Sequence, residues 1–154
     1  MSSRVVQKLK RTARLSPLEW RFLVIALKEL FLARIRHAVR PAKDILRDLQ
    51  AGQPRSPTGG TEEIDLARLS WALGAAATRV PWRSDCLLRA MAAERWLRRH
   101  RREPEFFLGT TKLETGQFEA HAWLRCGDVM VTAGRSEEFA ELIAPPARQA
   151  RTRA

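Results

Sequence analysis

Apolar residues recur at helical spacing between Phe22 and Ile35: Phe22, Leu23, Ile25, Ala26, Leu30, Ala33 and Ile35 fall along one broad stripe. Ser16-Pro17-Leu18-Glu19 ahead of them is a capping box with proline at the first helical position, so the pattern predicts a helix from there to about Val39, stopped by Pro41. A short helix over Ala42–Ala51 follows, then the breaker-rich run from Gly52 to Gly60, which has no periodicity and makes a linker. Thr61-Glu62-Glu63 opens another helix, with Ile64, Leu66, Leu69, Trp71, Leu73 and the alanines through Ala77 on its apolar side.

The next helix begins at Cys86, where Ser84 or Asp85 can cap it by accepting a first-turn N–H. Leu87, Leu88, Ala90, Met91, Ala92, Ala93, Trp96 and Leu97 leave polar positions only at Arg89, Glu94 and Arg95 before a basic end reaching Arg102. A helix apolar round most of its circumference requires burial on several sides.

Beyond Arg102 the period shortens to that of strands. Phe106-Phe107-Leu108 is a short buried strand ending at Gly109, and Thr110 to Gln117 is a polar connection. Phe118 to Arg125 alternates as a half-buried strand, Cys126-Gly127-Asp128 turns, and Val129 to Thr132 returns. Ser136 to Ile143 is a final helical turn or two, stopped by Pro145-Pro146. Helices first and a small antiparallel sheet afterwards define an α+β fold. The expected layout is a single domain over 16–144, with a helical part at 16–80 and a catalytic core at 81–134, between a loosely held basic terminus at 1–15 and a basic tail at 145–154.

Composition narrows the picture. At 154 residues and 45% hydrophobic content the chain suits one globular domain. The net charge of +11 is uneven: residues 1–40 carry ten basic and two acidic side chains, and 86–103 carry six and two. Such segments attract an acidic peptide, a nucleic acid or an anionic surface, or are simply solvated faces. No aromatics interleave with the charge in a stacking pattern, which argues against a dedicated nucleic-acid partner. Arg21, Lys28, Glu29 and Arg34 interrupt the first helix, so no transmembrane segment is expected. Two cysteines are too few for a disulfide framework, and a reducing cytoplasm is the expected location.

A cysteine in a first helical turn sits where the positive end of the helix dipole favours an anionic sulfur, and Arg89 adds positive charge on the same face. Thirty-five residues on, counted along the sequence, comes His121 in its strand, an imidazole that the fold can bring to the thiol. Cysteine before histidine is the papain-like order. Read as zinc ligands, Cys86, His121 and Cys126 lack paired close spacing, so neither a metal nor another cofactor is expected.

Trp82-Arg83-Ser84, Cys86-Leu87, Arg89-Ala90, Leu97-Arg98-Arg99-His100-Arg101 and Ala120-His121-Ala122-Trp123 together resemble the lasso-peptide biosynthesis B2 protein family. The resemblance implies a papain/transglutaminase-like cysteine peptidase that removes the leader from a ribosomally made lasso peptide precursor. Its implied catalytic residues are Cys86 and His121, and its implied partners are the precursor leader peptide, a separate leader-recognition protein and the lasso cyclase. The family also carries an acid on the strand after the histidine. Here the residue opposite His121 is Thr132, Ala133 or Gly134, depending on the turn, so the third member is unassigned and Thr132 stands as one candidate. Other sources are a backbone carbonyl, Glu137 or Glu138, or none, in a Cys-His dyad. A transglutaminase-like acyl transferase and a catalytically silent scaffold are the competing functions.

Overall fold

The computed structural model describes residues 15–51, 64–132 and 139–143. Among these residues four helices come first: α1 (Pro17–Val39), α2 (Ala42–Gln50), α3 (Leu66–Ala77) and α4 (Cys86–Arg99). Four strands follow: β1 (Glu105–Lys112), β2 (Phe118–Cys126), β3 (Val129–Met130) and β4 (Ala140–Ile143), in the order β3-β2-β1-β4. The α+β expectation holds.

Local chemistry sets the helix starts. At α1 the Ser16 hydroxyl accepts from the Glu19 N–H at 3.2 Å while Glu19 Oε2 accepts from the Ser16 N–H at 2.7 Å, the reciprocal capping box. Asp65 caps α3, accepting from the Arg68 N–H at 2.9 Å, so that helix starts at Leu66 rather than at Thr61. Ile64 lies ahead of it, buried but not helical, and 61–63 fall outside the described residues.

Helix α1 packs against α3 and α4, and α4 lies on β2. Leu23, Ala26, Leu30 and Ala33 of α1 meet Leu69, Leu73 and Ala76 of α3 and the nearly all-round apolar surface of α4 in one core. Phe22 meets Trp96 with ring centroids 5.5 Å apart. Ile35 does not share this burial: it is 44% exposed. Glu29, buried on the inner face of α1, accepts from Arg95 Nε at 2.8 Å and Arg99 Nη1 at 3.3 Å, tying α1 to the basic end of α4.

Three strand expectations need correction. Strand β1 does not end at Gly109 but runs to Lys112, because Thr110, Thr111 and Lys112 pair with Ala120, Glu119 and Phe118. The hairpin turns instead at Leu113–Gln117, with Gly116 at φ +83° and the Leu113 N–H donating to the Gln117 carbonyl at 2.8 Å. Residues 140–143 form no helix: the open edge of β1 supplies partners, and Leu108, Gly109 and Thr110 pair with Ile143, Glu141 and Ala140. Pairing with a free edge outweighs a weak local helical pattern. Strand β3 is two residues long, since the Val131 and Thr132 N–H groups both donate to the Leu124 carbonyl and break the ladder. The linker at 52–60 and the termini outside residue 15 and residue 143 lie outside the described residues, but Leu15 itself packs on the core. Among the described residues no helix is long and apolar enough to cross a membrane.

Candidate active site

Cys86 is the first residue of α4, half-buried and with a free thiol. Asp85, not Ser84, is the cap; its carboxylate accepts from the Leu88 N–H at 3.0 Å, and its carbonyl accepts from the Arg89 N–H at 3.1 Å. That arrangement occupies the donors of the third and fourth helical residues. Among the described residues no partner is found for the Cys86 N–H, which stays directed out of the helix start beside the sulfur. Apolar packing against the core by Cys86, Leu87 and Leu88 holds this end of the helix in place.

His121 sits in the middle of β2. Alternation along the strand gives Ala122, Leu124 and Cys126 to the core, and His121 and Trp123 to the other face, where Trp123 stacks on Phe107 with planes 2° apart. The imidazole lies between Trp123, 5.9 Å away and stacked, and Phe139, 5.1 Å away and tilted. Its Nε2 is buried and has no hydrogen-bond partner. Burial is the chief cause that pushes the ring below the ordinary histidine range; Arg89 pushes the same way, and Glu119 opposes both. A neutral imidazole with an unengaged nitrogen is the form a general base requires.

Arg89 links the two elements. One turn beyond Cys86, it runs beside α3, where a Cβ on Gly74 would stand 4.0 Å from its Nη2, and its charge reaches His121. Its Nε is buried and unpartnered. Arg89 therefore acts on the histidine as well as standing on the cysteine's helix face. No hydrogen bond joins Cys86 to His121, and the imidazole lies on the face of β2 opposite the core residues that α4 packs against.

The structure also places the remaining residues that the sequence singled out. The turn after β2 centres on Gly127-Asp128, with Cys126 paired to Val129 and Gly127 at φ +59°. Of the three possible turns this is the one that would set Gly134 opposite His121, but the ladder breaks at Val131, and 133–138, with Glu137 and Glu138, lie outside the described residues. The buried Thr132 hydroxyl accepts from the Leu124 N–H at 2.8 Å and makes no hydrogen bond to His121. Asp128 stays at the tip of the turn. Cys126 is a core thiol, five residues along β2 from His121, and burial pushes it above the usual thiol range. Among the described residues no group of three histidine, cysteine, aspartate or glutamate side chains could hold a metal ion.

Sequence reasoning missed Gly109, the residue of β1 directly across from His121. A Cβ there would meet the Ala140 carbonyl oxygen at 2.8 Å, and Phe139 Cβ and the Trp123 ring at 2.9 Å each. Its bare backbone lets β4 and Trp123 close in beside the histidine. The run Thr110-Thr111, both β-branched, was the available sign that the strand continued through the glycine.

Comparison with known proteins adds a family. A model described as the Transglutaminase-like superfamily matches residues 27–144, from the second half of α1 through the whole sheet. Neither the curated proteins nor the solved structures give a match.

Proposed function

The chain belongs to the transglutaminase-like superfamily, and from that premise we propose that it is a cysteine peptidase that removes the leader from a lasso peptide precursor in the cytoplasm. The reading is supported by two features inside the matched span, a free thiol at a helix start and a half-buried strand histidine whose Nε2 has no hydrogen-bond partner. The lasso assignment rests on the sequence blocks around Cys86 and His121. It brings with it the leader peptide as substrate, a separate leader-recognition protein and the lasso cyclase as partners.

In this reading His121 accepts the Cys86 thiol proton and the sulfur attacks the scissile carbonyl. The Cys86 N–H donates to the oxygen that becomes negative. The tetrahedral adduct collapses as His121 returns its proton to the leaving amine, giving a thioester and the first product. Water, losing a proton to the same imidazole, then opens the thioester and frees the second product and the thiol. The lowered pKa of His121 keeps the imidazole neutral and free to take the proton, and makes its protonated form a ready donor to the leaving amine. No third residue is assigned: the Thr132 hydroxyl is engaged by Leu124, and a dyad fits the groups found among the described residues.

An acyl transferase would use the same two residues and pass the thioester to an amine. Mass spectrometry of products from the precursor, mixed with this chain and its leader-recognition partner, separates the two. Two fragments whose masses sum to precursor plus water support the peptidase. An amine adduct would replace it with the transferase.

A further inference from the structure

Helix α1 carries two apolar stripes whose centres lie roughly 130° apart around its axis. The inner side, through Leu23, Ala26, Leu30 and Ala33, is buried. On the outer side Trp20, Val24, Phe31 and Ile35 recur at spacings of four, seven and four, so they lie one above another along a stripe four turns long. All four are exposed, between 44% and 59%. Large apolar side chains in an unbroken row are not what a solvated helix face requires; they mark a contact surface.

Three features describe the occupant. The stripe is flanked by Arg21 and Lys28 on one side and Arg34 on the other, none of them in an ion pair among the described residues. The only acids of α1 are Glu19, which is engaged in the capping box, and Glu29, which is buried and paired. Phe31 meets Trp82 with ring centroids 6.1 Å apart, so the exposed apolar surface continues from α1 onto the segment ahead of α4. An apolar stripe with cationic edges fits an amphipathic helix whose apolar face is bordered by carboxylates. Charge disfavours the chain's own ends, since residues 1–14 carry five basic side chains and no acid and 145–154 carry three and none. A second copy would set Arg21, Lys28 and Arg34 against themselves.

We propose that the outer face of α1 is a docking surface for an acidic amphipathic helix of another protein. The inference stands apart from the chemistry of Cys86 and does not depend on it. Trp82 lies four residues before Cys86, so a partner seated there would hold its own chain close to the start of α4.

The test uses the full chain and two synthetic peptides about five helical turns long, with leucines at helical spacing flanked by glutamates in one and by lysines in the other. The glutamate peptide should bind and shift tryptophan emission to shorter wavelength, and Trp20→Phe should reduce the shift. Val24→Glu and Ile35→Glu, both at exposed positions and checked for unchanged far-UV circular dichroism, should weaken binding by about tenfold or more. The lysine peptide should not bind. Equal binding of both peptides, or of the glutamate peptide to the variants, would overturn the proposal. So would a dimer in sedimentation that Ile35→Glu dissolves, or binding only to vesicles of phosphatidylcholine and phosphatidylglycerol.

Discussion

Gly109 and His121 face each other across β1 and β2, and the missing side chain of one makes room for the walls around the other. A methyl group at 109 would press on the Ala140 carbonyl, a backbone atom that cannot rotate aside, and on Trp123 and Phe139, which flank the imidazole. Gly109→Ala should therefore cost about 1–3 kcal/mol of stability by overpacking. It should also move the His121 ring resonances and its titration midpoint. Urea denaturation and histidine NMR check this; an unchanged midpoint and unchanged stability would show that β4 can shift away freely.

Arg89 opposes protonation of His121, so Arg89→Gln should raise the histidine's titration midpoint toward the ordinary ~6.5. The midpoint is read by NMR, with His121→Gln to assign the resonance among the three histidines. In the folded wild type the group titrates below its unfolded value, so the unfolded chain binds more protons in that window. Stability from this group is therefore full above ~6.5 and falls as pH drops through the folded midpoint. Arg89→Gln should narrow the window. A midpoint that stays put or falls would mean that burial alone governs the ring.

Glu29 and its two arginines are unequal partners. The carboxylate is buried, whereas Arg95 and Arg99 are 38% and 42% exposed. Removing both arginines strands a buried charge, while removing the acid leaves two cations that reach water. Arg95→Ala with Arg99→Ala should cost about 3 kcal/mol, and Glu29→Met should cost less than the double change. Chemical denaturation of the three proteins decides it, and the reverse order would contradict this account of how α1 is tied to α4.

Thr132 and Asp128 are the residues near the hairpin to test for a role beside the histidine. Thr132→Val removes the acceptor of the buried Leu124 N–H, so it should lower stability by about 1–3 kcal/mol. Its kcat/KM, measured where the protein is fully folded, should change little. Asp128→Asn at the tip of the turn should alter kcat/KM by less than about tenfold. Loss of activity in either variant with the fold intact would identify the residue that orients His121.

Much of this molecule was legible in sequence where the signal is local. The capping box at Ser16, the start of α4 at Cys86 and the end of α1 before Pro41 depend on neighbouring residues alone, and the structure has them. What depends on distant partners was not legible. The 140–143 segment becomes a strand because β1 offers an edge, and Gly109 matters because Trp123 and Phe139 converge on it. Ile35 belongs by periodicity to a broad apolar stripe, but a helix apolar on two sides does not announce which side the core will take. The thiol and the imidazole stand as candidates by their motifs alone, whereas the influence of Arg89 on His121 required the packing of α4 on β2.

The central claim is that Cys86 is a nucleophile served by His121, and single-turnover cleavage of the precursor, with the leader-recognition partner present, tests it most directly. The rate should fall by about a thousandfold or more in Cys86→Ala and in His121→Ala, each with unchanged far-UV circular dichroism, since loss of a covalent nucleophile removes the main route over the barrier. Cleavage by Cys86→Ala at more than about a tenth of the wild-type rate would contradict the account.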